Sequence, residues 1–306
     1  MTKSPPYRTL SSFLRERFGE RVQKITLDAS LGCPHRGPDG SGGCIYCNAK
    51  GSGTGSLAKG ISLSEQIKSQ IAAMARHYKA RSFIAYFQSY SNTYADVSTL
   101  KAVYDSILPY PEIVGLAVGT RPDCVDIDKL SLISTYADDR LVWIEYGLQS
   151  ANDATLKRIN RGHDVKSFID AVELASSFDM RICAHVIIGL PGEGTDDYVA
   201  TANLLSALPV TDVKIHLLYV IKGTVLESLH ERGGYTPLGM DTYVKAVALF
   251  IAHLRDDIVV QRITGDPHAS ELAAPSWALD KSRIRNAIHE EMARAGLYQG
   301  SLHSSR

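Results

Sequence analysis

Three cysteines crowd one short stretch of the chain: Cys33, ten intervening residues, Cys44, two residues, then Cys47. Thiolates are soft donors that select zinc or an iron–sulfur cluster over oxygen-loving cations. The count of three is informative. A structural zinc site closes with four ligands, and the nearby fourth is His35, two residues after Cys33. A four-iron cluster held by three cysteines instead leaves one iron open to a further ligand. Cys124 and Cys183 stand apart and read as small buried apolar residues.

The loop that carries these thiols, GCPHRGPDGSGGCIYCNAKGSGTGS, is too rich in glycine for regular structure. It follows RVQKITLDA (21 to 29), which reads as a strand. Ile67, Ile71, Met74 and Tyr78 then recur at helical spacing. Further strand-like runs follow at 82 to 88, 113 to 120, 141 to 147, 181 to 190 and 213 to 220. Between them lie helix signals from Asp96, from Asp126, from Asp164 to Phe178 and from Thr195 to Leu208, with aspartates as plausible N-caps.

Consecutively apolar strands separated by helices imply parallel pairing with both faces covered. The expectation is an α/β protein: a partial, six-stranded parallel β/α barrel, with a doubly wound sheet as the alternative. A helical C-terminal extension, with Val244, Val247, Ile251 and Leu254 on one helix and Ile284, Ile288 and Met292 on the next, would pack against the barrel or close its end. No linker divides the chain, so 1 to 306 reads as one domain, with the barrel core at about 21 to 226 and the extension at about 227 to 306.

In such a barrel the site is built from loops at the C-terminal ends of the strands. The candidates are then Cys33, Cys44 and Cys47 after the first run; Gln88, Ser89, Tyr90, Ser91, Asn92 and Thr93 after the second; Thr120, Arg121 and Asp123 after the third; Glu145 and Gln149 around the fourth; and Gly189 to Glu193 after the fifth. His163, His185 and His216 read as satisfied core histidines unless they face the mouth.

The 306 residues carry 33 Lys+Arg against 33 Asp+Glu, with 44% hydrophobic and 22% charged residues, the composition of a globular enzyme. Zero net charge gives no long-range field for phosphate backbones. No run approaches the roughly 18 apolar residues of a membrane helix, and the N-terminus lacks the apolar middle of a secretion signal, so a cytoplasmic protein with no membrane association is expected.

Cys44-Ile45-Tyr46-Cys47, together with GTRPDCV (119 to 125), EYGLQSANDATLKRINRGH (145 to 163) and HVIIGLPGE (185 to 193), resembles the radical S-adenosylmethionine (SAM) superfamily. The usual first gap there is three residues. The ten found here, with Cys-Pro-His at the loop's start, resemble the elongator catalytic-subunit branch, and within it the chain is similar to the YhcC-like group. The resemblance covers about Lys24 to about Leu226.

It implies a [4Fe-4S] cluster on Cys33, Cys44 and Cys47 and S-adenosyl-L-methionine as second cofactor, cleaved reductively to a 5′-deoxyadenosyl radical that takes hydrogen from a substrate. Tyr46 would lie against adenine. Gln88, Ser89, Ser91, Asn92 and Thr93 occupy the place of the family's Gly-Gly-Glu turn, which this sequence lacks. Glu145 and Gln149 would hydrogen-bond the ribose and methionine moieties, Arg158 or Arg161 the carboxylate, and the 186 to 190 segment, with Ile188, would wall the adenine. An external flavodoxin- or ferredoxin-like donor would supply the electron.

Simpler readings stand beside these. Glu145 could be a solvated strand-end charge, the two arginines cations at a helix end, Gly162 a C-cap, and GLPGE a plain turn. The elongator proteins act on transfer RNA and carry an acetyltransferase domain. Here only about ninety residues follow the sixth run, and Lys281, Arg283 and Arg285 are the best cationic cluster. A small-molecule or protein substrate is therefore expected over nucleic acid. The rival classes are a non-catalytic iron–sulfur sensor or interaction protein and, less favoured, an RNA-modifying enzyme or a zinc hydrolase.

Overall fold

The computed structural model describes residues 5–37, 41–48, 50, 51, 53 and 55–304, so part of the cysteine loop lies outside the described residues. Its frame is six strands in chain order: β1 (Val22–Leu27), β2 (Ser82–Phe87), β3 (Ile113–Thr120), β4 (Leu141–Gln149), β5 (Arg181–Ile188) and β6 (Asp212–Leu217). A two-residue strand β7 (Val220–Ile221) pairs antiparallel with β9 (Leu272–Ala274), and β8 (Val259–Arg262) lies between them in sequence. Strand order in the main sheet is β1-β2-β3-β4-β5-β6-β8, every pair parallel. Sequential order excludes the doubly wound alternative, in which strand order reverses at a switch point. The six-strand expectation is corrected to seven: the extension adds β8, whose four residues are too few to stand out as a strand run.

Helices alternate with the strands: α1 (Leu10–Phe18), α2 (Leu63–Tyr78), α3 (Val97–Asp105), α4 (Ile127–Ser134), α5 (Asp153–Arg158), α6 (Val165–Ala175), α7 (Thr195–Ala207), α8 (Val225–Glu231), α9 (Met240–His253) and α10 (Lys281–Arg294). The aspartates at 96, 126 and 164 are N-caps, each accepting the N–H three residues on. The α7 N-cap is Gly194. Helices α9 and α10 stack on the outer helix layer, α9 against α7 and α10 against α9. One large core fills the space between sheet and helices, from Ile25 and Leu27 of β1 to Val213 and Ile215 of β6.

The concave face holds a smaller apolar cluster at its N-terminal end, where Val22, Ile84, Ala117, Trp143 and Cys183 meet Leu14 of α1. Phe13 of α1 meets Trp143 edge-on at 6.4 Å and lies under the Arg181 guanidinium. Helix α1 thus plugs the bottom of the half-barrel. Both sheet edges are blocked. Beside β1, Gln66 and Gln70 of α2 accept from the N–H groups of Asp28 and Thr26 at 2.9 and 2.8 Å, imitating a neighbouring strand. Beside β8, Val260 N–H donates to the Arg8 carbonyl at 2.8 Å.

Above the apolar plug sits a buried charge hub. The Glu145 carboxylate accepts from Lys24 Nζ at 3.0 Å on one oxygen, and from Lys214 Nζ and from His185 Nε2 at 2.8 Å on the other. Lys24 also donates to Gln261 Oε1 at 2.7 Å, and Gln261 Nε2 donates to Asp212 at 2.9 Å. In a flat sheet β1 would lie about 14 Å from β4 and about 29 Å from β8. Their side chains meet, so the sheet curls through the hub. Burial alone would raise the Glu145 carboxyl, but Lys214, Lys24 and His185 hold it well below the usual carboxylate range. Burial pushes the His185 imidazole down to about 4, so it is neutral when it donates.

Removing one member of a buried ion group strands the others without compensation. Glu145→Ala should therefore lower the unfolding free energy by about 3–5 kcal/mol in urea, whereas Arg158→Ala, at an exposed side chain, should change it by less than about 0.5 kcal/mol. Equal losses in the two variants would contradict the hub.

Candidate active site

The cysteine loop leaves β1 at the C-terminal end of the sheet and is held from the segment after α5. Ile45 N–H donates to the Ile159 carbonyl at 3.1 Å, the Asn160 side-chain amide to the Gly43 carbonyl at 2.8 Å, and Leu226 N–H to the Ile45 carbonyl at 2.9 Å. Arg36 Nη2 donates to the Cys47 carbonyl at 2.7 Å. Cys44 is buried, while Cys33 and Cys47 are half-buried.

Arg161 is the link between thiols and strands. Its buried guanidinium donates through Nε and Nη2 to the Gly147 carbonyl at 3.3 and 2.8 Å, and reaches Cys44 Sγ through Nη1 at 3.5 Å. Its own carbonyl accepts from Arg121 Nη1 at 2.8 Å, and Arg121 is fixed by a forked pair to Asp123 at 2.8 and 2.6 Å. A permanently charged group thus faces a sulfur, the polarity that suits an anionic thiolate-ligated cluster. Gly147 makes room for it. A Cβ there would lie 2.5 Å from both Arg161 Nη2 and Gln149 Nε2.

The donor set fits a three-cysteine cluster and not the zinc site closed by His35. His35 Nε2 donates to the Asn160 carbonyl at 2.8 Å. The rest of its ring lies on Gly162, where a Cβ would sit 2.6 Å from Nδ1 and φ is +78°. Gly162 therefore admits the imidazole and does not cap α5, whose C-cap is Ile159. Among the described residues the three-donor group with ligand atoms within 4.8 Å of one another is Glu145, Cys183 and His185. Lys24 and Lys214 already hold that carboxylate, so a cation placed there would meet two ammonium groups.

The remaining expected contacts divide. Gln149 ends β4 with φ +76°, a conformation few non-glycine residues adopt, which turns its amide back toward Arg161. Tyr46 packs against the apolar cluster that holds Ile187, Leu190, Leu218 and Leu226, and burial pushes its phenol well above the usual range. In the 88 to 93 segment, Gln88 is half-buried and Ser89 fully buried. Ser91 and Thr93 hydroxyls meet the Thr120 hydroxyl at 2.8 and 2.6 Å, and the Asn92 amide donates to the Gly119 carbonyl at 2.8 Å. Those three side chains stitch β2 to β3. Ser89 Oγ and Asn92 Oδ1 are buried there without hydrogen-bond partners among the described residues.

Three of the expected residues sit differently from the sequence reading. Glu145 is not a solvated strand-end charge: β4 continues four residues past it, and both its oxygens are held in the interior hub, with which the expected ribose or methionine contact would compete. Arg158 stays exposed on the outer rim, donating to the Pro191 carbonyl, so of the two arginines Arg161 alone joins the thiols. Ile188 lies in the main core under the helices, and it is Ile187 that belongs to the cluster Tyr46 packs against, because side chains alternate faces along the strand. The hub itself was missed, as were Lys24, Lys214 and Arg262. Its signal was present in Cys183-x-His185 and Lys214-x-His216, polar residues at spacing two inside apolar strand runs.

Residues 29–205 match the sequence model of the radical SAM superfamily, and residues 210–294 that of the Radical_SAM C-terminal domain. The chain is 35% identical to YtqA of Bacillus subtilis over 96% of its own length and 92% of that protein's, and 36% identical to YhcC of Escherichia coli K12 over 86% and 85%. It is 26% identical to the tRNA uridine(34) acetyltransferase of Dehalococcoides mccartyi over 53% of this chain and 35% of that one. Among solved structures, the Elp3 of Methanocaldococcus infernus superimposes with a TM-score of 0.71 at 16% identity, covering 91% of this chain and 64% of that chain. The two family matches, the full-length relatives and three thiols at the mouth of a parallel half-barrel agree: the chain belongs to the radical SAM superfamily, whose enzymes use a [4Fe-4S] cluster and SAM.

Proposed function

We propose that Cys33, Cys44 and Cys47 hold the cluster, and that the protein takes a hydrogen atom from a substrate lying in the concave half-barrel beneath them. The observation that carries this is the Arg161 guanidinium at 3.5 Å from Cys44 Sγ, with His35 turned to a backbone carbonyl. When bound, the reduced cluster and SAM supply a 5′-deoxyadenosyl radical. Gly147, Gln149 and Arg161 shape the floor under the thiols, Ile187 and Tyr46 give an apolar wall, and the buried Ser89 and Asn92 oxygens offer acceptors toward β2. An external flavodoxin- or ferredoxin-like protein would deliver the electron. We read the 306 residues as one working unit in which the extension supplies β8. No helix of the described residues is long and apolar enough to cross a membrane.

Protein isolated without oxygen should be brown and carry about four irons per chain, the content of one such cluster. Cys33→Ala, Cys44→Ala or Cys47→Ala should abolish the colour, and Cys124→Ala should keep it. Stoichiometric zinc without iron after anaerobic reconstitution would refute the assignment.

A second reading, an RNA substrate, is favoured by the half-chain similarity to a tRNA uridine(34) acetyltransferase. Charge argues the other way. The chain is neutral overall, and in its best cationic cluster Lys281 is already paired with Asp266. Too few cations remain for a tight, many-phosphate contact, so bulk transfer RNA should bind weakly at about 150 mM salt. Filter binding across a salt series decides it: tight binding at that salt, lost in Lys281→Ala/Arg285→Ala, would put RNA first.

A further inference from the structure

At the level of the hub and one step above it, toward the thiols, two side chains lack hydrogen-bond partners among the described residues. His216 Nε2, two residues beyond Lys214 in β6, is buried with none, and its ring lies 5.4 Å from that of His185 at 34°. Arg262 ends β8, half-buried and in register with Lys214. It makes no hydrogen bond or ion pair among the described residues, although its charge is felt by Tyr86, His185, Lys214, His216 and Tyr219. Arg181 and Asp212, deeper in the barrel, satisfy each other at 2.8 Å. Arg262 thus joins Lys24 and Lys214 around the single carboxylate of Glu145, and burial, with this crowding, lowers the Lys214 ammonium to about 7. Sheltered polar groups are normally paired, and a half-buried guanidinium with no protein partner has its fork free for a ligand. An arginine fork matches a planar or tetrahedral oxyanion.

We propose that Arg262 and His216 anchor an anionic group of the substrate, a carboxylate or phosphate, inside the half-barrel. The proposal rests on the reading of the concave face as the substrate chamber. Arg262 donates its fork to two oxygens of the anion, His216 donates from Nε2 as the neutral imidazole, and Lys214 adds positive charge from the adjoining strand. With its anion held at depth, the substrate presents its far end toward Cys44 and Gln149. The C-terminal extension, which contributes β8, is then what sets the substrate's charge.

The test is calorimetric titration of the cluster-bearing protein with succinate and, separately, inorganic phosphate at constant ionic strength in chloride. At least one should bind saturably, and which one identifies the oxyanion. Arg262→Gln should weaken that binding tenfold or more, Arg262→Lys should recover part of it, and Arg158→Gln should leave it unchanged. SAM affinity should be the same in all four proteins. Saturable binding of neither anion, equal affinity in Arg262→Gln, or a loss of SAM affinity in its place would overturn the anchor. Because anion binding is read directly, absent iron would defeat the functional reading, whereas normal iron without anion binding would defeat this proposal alone.

Discussion

The curvature of the sheet depends on one buried carboxylate. Glu145 collects Lys24 from β1, His185 from β5 and Lys214 from β6, and Lys24 passes the connection to Gln261 on β8. Parallel strands about 4.8 Å apart would keep the two edges far out of reach. Buried ion groups are weak sources of net stability, because desolvation offsets their attraction. They are strict about geometry, since a relaxed sheet would leave the same charges unpaired in an apolar setting. The hub therefore acts as a constraint on shape, and the shape creates the chamber.

The mouth of that chamber is fixed by a different device. The segment from Ile159 to Gly162 holds the cysteine loop by backbone and side-chain hydrogen bonds, and Arg161 connects that segment to both the Gly147 carbonyl and a thiol. Cys33 and Cys47 are half-buried and Cys44 is buried, while the loop's base is anchored. An anchored loop base suits the cluster proposed to sit on these thiols, which would keep one iron uncommitted. The polar layer below, where Lys24, Lys214 and Arg262 surround Glu145, faces the same chamber.

Much of this was legible in the sequence. The six long strand runs lie where expected, because apolar runs bounded by capped helices are strong signals. Cys33, Cys44 and Cys47 stood out because spacing in one loop survives any uncertainty in the fold. What failed were features that depend on register or on distant contacts. Composition does not tell which residues of the apolar segment 186 to 190 face the chamber, and the alternation puts Ile187 and Ile188 in different clusters; β4 likewise runs on to Gln149, two residues past the apolar run that ends at Gly147. Strand β8 and helix α1 are short and ordinary in composition, and only contact with the barrel reveals their importance. The Lys24–Glu145 pair spans 121 positions, and nothing local in the chain announces it.

The central claim is that the three thiols support reductive cleavage of SAM. It is tested most directly by reducing the reconstituted protein with dithionite under anaerobic conditions in the presence of SAM and quantifying 5′-deoxyadenosine and methionine by mass spectrometry. The account predicts both products in equal amounts from the native chain and neither from Cys44→Ala. A fully loaded, reduced cluster that binds SAM and releases no 5′-deoxyadenosine would contradict it.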